Sequence, residues 1–508
     1  MSILFSRRQV LASGVAATML PCLPRAHAAT GAKRLTAGIR VIEVNGKPAR
    51  VFHLTGPDGK PGLRLAPGER FQTRLVNETG VSTIIHWHGQ LPPWTQDGFP
   101  WPQTPPLAPA ATHAYDFAAV PGTYWMHSHH GLQEQSLMAA PLVVRGVAEI
   151  QEDRQEIVLM LHDFSFRAPE ELLAGLTGTS VAAAGAMTGM MENVPVPVPG
   201  AAMPHSAIGM SSSMSGMGSS MMSESTSMPG MSGMHMDLND IDYDAFLAND
   251  RTLADPEIVR VERAGRVRLR VINGASASQF WLDLGALTGW VVAVDGHGVI
   301  PVSGRRFPIA IAQRLDVLLD LPPDARAFPV TAELEGKRRR AGIILAPSGA
   351  SIIRLPVMAP NRAQPVDNSL EARLRTTTPL VSRKPDVVTQ IVLAGGMQPY
   401  AWSLNGEFWP KITPLMLTKG QRIEIELINH SPMAHPMHLH GHSFQVVAVN
   451  GLPIHGAVRD TVLVEPMPGS VRIAFDANNP GRWAFHCHNL YHMATGMMTE
   501  FRYEGIAV

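Results

Sequence analysis

His486-Cys487-His488-Asn489-Leu490-Tyr491-His492-Met493-Ala494-Thr495-Gly496-Met497 sets a cysteine between two histidines, with a third histidine five residues beyond it and a methionine ten residues beyond. One thiolate, one imidazole and a weakly held axial thioether are three of the four ligands of a blue-copper centre, so a second imidazole must come from elsewhere in the chain. His486 and His488 cannot share that centre, because alternation along a strand turns the neighbours of Cys487 to the opposite face. They therefore serve a second metal site, joined to the first through the Cys487 backbone.

Repeats elsewhere supply the missing imidazoles. Gly68 to Asn77, Gly265 to Asn273 and Gly420 to Asn429 each run from a glycine through alternating apolar residues to an asparagine. Period-2 alternation marks a half-buried strand, and the asparagine marks the turn after it. The first copy continues to Ile85-His86-Trp87-His88-Gly89 and the third to His435-Pro436-Met437-His438-Leu439-His440-Gly441. The second continues to Phe280-Trp281-Leu282-Asp283-Leu284-Gly285, without histidine. A further repeat pairs Pro121-Gly122-Thr123-Tyr124-Trp125-Met126-His127-Ser128-His129 with Pro480-Gly481-Arg482-Trp483-Ala484-Phe485-His486-Cys487-His488. Ser128 stands where Cys487 stands, so only the C-terminal copy forms a thiolate–copper bond. The chain reads as three related β-sandwich domains, 33–148, 155–356 and 385–508. The outer two carry metal ligands and the middle one spaces them, with linkers near 146–156 and 357–386.

Composition narrows the class. A chain of 508 residues is too long for one ordinary core. Its 42 basic and 42 acidic residues cancel, which removes any electrostatic case for nucleic acid or an anionic membrane surface. The 42 Pro and 45 Gly favour a turn-rich β protein. At the N-terminus, Ser6-Arg7-Arg8-Gln9-Val10-Leu11, a short apolar run and Ala26-His27-Ala28 read as a twin-arginine export signal over 1–28. The run is too short for a permanent anchor, so the expected location is the periplasm. Cys22 leaves with the signal, and Cys487 is then the sole cysteine, with no disulfide to form. Residues 185–236 interrupt the middle domain and hold 13 of the 27 methionines among Ser, Gly and Pro. They read as a long surface loop whose soft thioethers suit extra Cu(I).

Four His-x-His pairs remain: His86/His88, His127/His129, His438/His440 and His486/His488. Residues two apart on a strand face the same way, so each pair presents two imidazoles to one cavity. Eight imidazoles exceed what one metal uses and suit a cluster of three copper ions between the first and last domains. His435, His492, Cys487 and Met497 are left for the separate blue-copper site.

The motifs His-Trp-His-Gly, Trp-Met-His-Ser-His, His-Pro-Met-His-Leu-His-Gly and His-Cys-His-x3-His-x4-Met resemble the four copper motifs of the multicopper oxidases. The likeness covers nearly the whole chain after the signal and is strongest to the three-domain bacterial branch of cuprous oxidases and laccase-like enzymes. It implies an all-β fold of three cupredoxin-like Greek-key domains and four copper ions. Type 1 copper would be held by His435, Cys487 and His492 with Met497 axial, and type 2 by His86 and His438. The type 3 pair would take His88, His127 and His488 on one ion, and His129, His440 and His486 on the other. The implied reaction draws single electrons from a small reductant, passes them through Cys487 to His486 and His488, and reduces dioxygen to two waters. Asp97 matches the family's acidic residue beside the cluster and is the expected proton relay.

Two positions depart from the family pattern. Met493 stands where bacterial relatives often carry an acid directly after the second type 1 histidine. Ser431 takes the acidic position before His435, although Met433 fits the cuprous-oxidase pattern. Outside the ligand set, His130 and His442 read as residues flanking the ligands, and His205 and His235 as possible members of the Met-rich loop's soft set. The expected function is an exported O2-reducing oxidase of Cu(I) serving copper tolerance. A laccase acting on phenols and aromatic amines is the alternative, and a copper-sequestering protein is a third.

Overall fold

The computed structural model describes residues 31–190, 238–352 and 354–506. The twin-arginine segment and most of the Met-rich stretch lie outside them. Lys33–Val508 form one compact unit. Among the described residues the strands make six sheets, two in each of three successive stretches of the chain. Among the described residues no helix is long and apolar enough to cross a membrane.

The three glycine-to-asparagine repeats occupy one position in this plan. Phe71–Asn77 runs parallel to Lys33–Val44 and antiparallel to Thr112–Phe117. Arg266–Asn273 does the same with Gln155–Phe164 and Arg314–Asp320, and Arg422–Asn429 with Val387–Met397 and Ser470–Asp476. Alternation explains the packing: Ile423, Ile425 and Leu427 are wholly buried while the residues between them are half-buried. The closing asparagines share one geometry. Asn77, Asn273 and Asn429 each accept at Oδ1 from the backbone N–H two residues on, in Thr79, Ala275 and Ser431. Each also donates from Nδ2 to a carbonyl a few residues later, in Val81, Ser278 and Met433. An asparagine that closes its own turn sends the chain from the first sheet into the second.

Those second sheets carry the histidines. Ile85–His88 pairs with Gly122–Ser128, with His86 opposite His127. His435–Leu439 pairs with Arg482–Cys487, with His438 opposite His486. The middle stretch has the same pairing, Phe280–Asp283 against Phe328–Leu334, lined with apolar residues instead.

Two sequence expectations change here. The expected linkers are pinned by buried charge. Residues 146–156 contain the helix Val147–Gln151, whose Glu149 lies 3.3 Å from Arg268 and 3.1 Å from Arg270. Arg270 is wholly buried, and Thr123, Asp316, Glu149 and Glu156 engage its two terminal nitrogens, because a buried cation is costly without charged partners. In 357–386, buried Glu371 pairs with Arg459. The other change concerns the expected loop 185–236, whose first residues, 185–190, belong to the helix Val181–Met190. Its Val-Ala-Ala-Ala-Gly-Ala start is rich in the best helix former, and Ser180 Oγ accepts from Ala183 N–H at its head. The rest of that stretch, 191–236, lies outside the described residues.

Candidate metal centre

His435 opens one strand, Cys487 ends its neighbour, and His492 sits on the short helix Leu490–Ala494. Asn489 caps that helix by accepting from the N–H groups of Tyr491 and His492. The cap aims His492 back at Cys487. Cys487 Sγ lies 3.7 Å from Nδ1 of both His435 and His492, and the two Nδ1 atoms are 3.1 Å apart. All three residues are fully buried. Met497 returns beside them: its N–H donates to His492 O, and its carbonyl accepts from Cys487 N–H. Each ring's outer nitrogen is held, His435 Nε2 donating to Ser431 Oγ at 2.7 Å and His492 Nε2 lying 3.1 Å from Asp240 Oδ2. Trp402 stacks on His492 with centroids 4.0 Å apart. Burial pushes the Cys487 thiol up, and burial with His492 alongside pushes His435 well down. For Asp240, burial acts upward, but His492, Asn489 and Tyr400 outweigh it and hold the carboxyl below its usual range. Two imidazoles beside a thiol that a cation would ionise are a ready soft-metal site.

The second cluster lies across the join of the first and last stretches. His88 stacks on His438 and His86 on His440, at 3.7 and 3.8 Å between centroids. His86, His438 and His440 present ring nitrogens within 4.8 Å of one another, as do His129, His440 and His486. The inner nitrogens lack partners: His86 Nε2, His88 Nδ1, His127 Nε2, His129 Nε2, His438 Nε2 and His488 Nε2 are buried without a hydrogen bond. His440 Nε2 and His486 Nε2 face each other at 3.1 Å. A buried polar atom left unpaired costs about 1–3 kcal/mol, so this many converging on one space fit metal ions. Copper, which imidazoles suit, matches the donor set. Burial and mutual repulsion lower the rings of His88, His127, His129, His438, His440, His486 and His488, that of His486 to about 3. The uncharged ring is the ligating form.

Four outer nitrogens meet fixed acceptors, while Nδ1 of His127 and of His129 has no hydrogen bond. His440 Nδ1 donates to Asp97 Oδ2 at 2.7 Å, and His86 Nδ1 to the Asp97 carbonyl at 2.9 Å. Asp97 follows the turn Trp94–Gln96 and precedes Gly98, whose φ is 84°. A Cβ on Gly98 would stand 1.9 Å from Ile85 O, so only glycine lets Asp97 approach His86. His438 Nδ1 donates to Asp460 O, and His88 Nε2 to Asp460 Oδ1 at 3.0 Å. Buried Arg314 grips the Asp460 carboxylate with both terminal nitrogens. Burial acts to raise Asp460, but Arg314 and His88 hold it well below the usual carboxylate range. Gly89 leaves room for that pair, since a Cβ there would meet Asp460 Oδ2 at 2.5 Å and the Arg314 guanidinium at 2.6 Å.

The structure therefore brings His435, Cys487, His492 and Met497 to one place, and the eight His-x-His imidazoles with Asp97 to another. Sequence reading missed Asp240, Asp460, Arg314 and Glu134, the last lying 2.6 Å from His127 Nδ1. Asp240 and Arg314 come from the middle stretch, which thus supports both sites as well as spacing them. Asp240 meets Asn489 across 249 residues and Arg314 meets Asp460 across 146, and no local pattern marks them. Met493 faces a cavity of about 310 Å³ with Met187, Tyr400, Trp409 and Thr495. Met433 lines a smaller cavity with Gln279, Glu335 and Asn489. His442 is buried, with Nε2 2.7 Å from Tyr503 Oη, and burial lowers it to about 4.

Multicopper oxidase family models match residues 40–149, 205–354 and 382–505. The chain is 30% identical to multicopper oxidase MmcO of Mycobacterium tuberculosis over 98% of its own length and 97% of that protein's. It is 26% identical to copper resistance protein A of Escherichia coli, covering 92% of each. Among solved structures, Fet3p, a multicopper oxidase that functions in iron import, superposes with a TM-score of 0.71 at 20% identity, covering 93% of this chain and 90% of that one. The laccase from Botrytis aclada gives 0.70 at 21% identity, covering 94% and 88%.

Proposed function

The chain belongs to the multicopper oxidase family, and from that premise we propose an exported enzyme whose reductant is Cu(I) and whose role is copper tolerance. As a multicopper oxidase it is a copper-dependent oxidoreductase that uses dioxygen. We assign it four copper ions: a type 1 ion at His435, Cys487, His492 and Met497, a type 2 ion at His86 and His438, and a type 3 pair on the other six His-x-His imidazoles. Bound copper would supply one-electron acceptance at the first site and reduction of dioxygen to water at the cluster. The protein's part is geometric. Cys487 Sγ faces His435 and His492 while the adjoining peptide units carry His486 and His488 into the cluster, which makes a short covalent route between the two.

The observation that carries Cu(I) is where the Met-rich stretch begins and ends. Met187, at its start, lines the cavity that Met493 shares just beside His492. Asp240, just past its end, contacts His492 itself. Two thioethers at that cavity suit a soft monovalent cation, and the relatives named for copper resistance agree. Tyr400 and Trp409 in the same cavity favour the laccase reading, since ring faces suit a small aromatic. The twin-arginine signal supports export to the periplasm. Oxygen uptake on Cu(I) and on a phenol, with and without residues 192–236, separates the readings. Deletion should lower Cu(I) oxidation about tenfold, equivalent to 1.4 kcal/mol, and leave phenol oxidation equal or faster. Intact Cu(I) oxidation after deletion would remove the case for the Met-rich stretch.

Asp97 is the proton relay in this reading. Its Oδ1 has no hydrogen-bond partner and lies 3.4 Å from His86 Nδ1, while Oδ2 is engaged by His440. Asp97→Asn keeps both contacts in shape but cannot carry the proton. Turnover should fall about 100-fold, with anaerobic bleaching of the blue colour by reductant as fast as before. Slowed bleaching would place the fault at the other site.

A further inference from the structure

We propose that Glu134 is a positioning residue for the ion held by His127 and His488, a single carboxylate that spans both imidazoles and fixes their rings across the join between the first and last stretches of the chain. Glu134 is 2% exposed, with Oε2 2.6 Å from His127 Nδ1 and Oε1 3.9 Å from His488 Nδ1. Neither Glu134 Oε1 nor His127 Nδ1 makes a hydrogen bond, so the carboxylate meets the two rings as an ion-pair approach. Among the described residues its ion-pair partners are these two histidines. Carboxylates that hold a ligating imidazole by its far nitrogen fix the ring and raise its basicity. Asp97 does this for His440, and Asp460 for His88.

Its neighbours show that the placement is built. Gln133 Oε1 accepts from Thr83 Oγ1 and Ser128 Oγ, and its Nε2 donates to Ser82 O. Gln135 Oε1 accepts from Tyr243 and Tyr491, the latter next to His492. The residues on both sides of Glu134 are thus held by side-chain hydrogen bonds, which fixes where its backbone lies.

The inference rests on reading His127 and His488 as copper ligands, and Glu134→Gln tests it on purified protein. The amide keeps the shape and loses the charge. Copper retained per chain against a competing chelator should show cluster affinity down about 10–100-fold, with the blue absorption that reports Cys487 unchanged. Copper-free variant should unfold at the same temperature as copper-free wild type or higher, because the cost of burying a carboxylate has been removed. Equal copper retention and turnover in the two proteins would overturn the proposal. So would a copper-free variant that unfolds earlier and loses blue absorption together with cluster copper, since that marks a role in the fold alone. If Glu134→Gln does not accumulate, Glu134→Asp, with the charge withdrawn by one methylene, reads the same quantities. Wild type that binds no cluster copper would instead defeat the ligand reading.

Discussion

Cys487→Ser is expected to remove the blue absorption and lower turnover at least about 1,000-fold, a barrier increase of about 4 kcal/mol, while cluster copper stays in place. The side chain is wholly buried and its Sγ is equidistant, at 3.7 Å, from two imidazole nitrogens. A serine hydroxyl fits the same space, as Ser128 shows at the matching place in the first stretch, where it is also buried. Its oxygen is a hard, protonated donor that cannot replace a thiolate for a soft metal. The fold should survive, because Cys487 N–H still donates to Met497 O and the strand pairing Met437–Cys487 uses backbone alone. Copper analysis, the visible spectrum and oxygen uptake on one preparation check all three claims. Turnover near wild type without blue colour would overturn the electron route through Cys487.

Arg314→Leu should be the most destabilising of the substitutions considered, at about 3–5 kcal/mol. Arg314 is wholly buried, donates to Asp460 from both terminal nitrogens, and also donates to the carbonyls of Thr123 and Ala312. Leucine leaves the Asp460 carboxylate buried with His88, His438 and Thr461 as its side-chain partners and no full positive charge. Freed from its guanidinium, Asp460 no longer fixes His88, so cluster copper should also weaken about 10–100-fold. Adding Asp460→Asn to Arg314→Leu should recover part of the lost stability, because the stranded charge is gone. Thermal unfolding of the single and double variants, with copper content beside it, tests this. Purely additive losses would show that Asp460 and Arg314 are not coupled.

Protonation follows from the same burial. His486, lowered to about 3 by burial and neighbouring rings, is neutral in the folded chain where an exposed histidine would begin to charge. Its folded value lies below its unfolded one, so the unfolded chain binds more protons as pH falls through 6.5. Stability of the copper-free protein should therefore decline from about pH 7 downward, as the seven lowered rings of the cluster act together.

Much of this was legible in the residues. Alternation in Gly420 to Asn429 and its two counterparts specified half-buried strands, since a period of two puts one face against a core whatever the rest of the chain does. The asparagines announced turns that they close with their own side chains. The same period placed Cys487 on one face and His486 and His488 on the other, which is a local property of any extended chain. The His-x-His pairs, read twice over, pointed to a shared cavity for the same reason. Even Ser128 against Cys487 was a sequence fact.

The long-range partners were not legible. Asp460 reaches His88 across 372 residues and Asp240 reaches Asn489 across 249. Alternation states which way a side chain points but not which side chain comes to meet it. Glu134 lies in a turn where no periodicity operates, and Arg314 sits on a strand of the stretch that appeared only to separate the others. The helical start of the Met-rich stretch comes from its alanines, since the methionine pattern carries no helical period. The sequence by itself determined which residues are ligands in kind and which strands present them. Only the packing of all three stretches around one cavity decided which carboxylates hold those ligands in place, because that depends on contacts the chain makes after it has closed on itself.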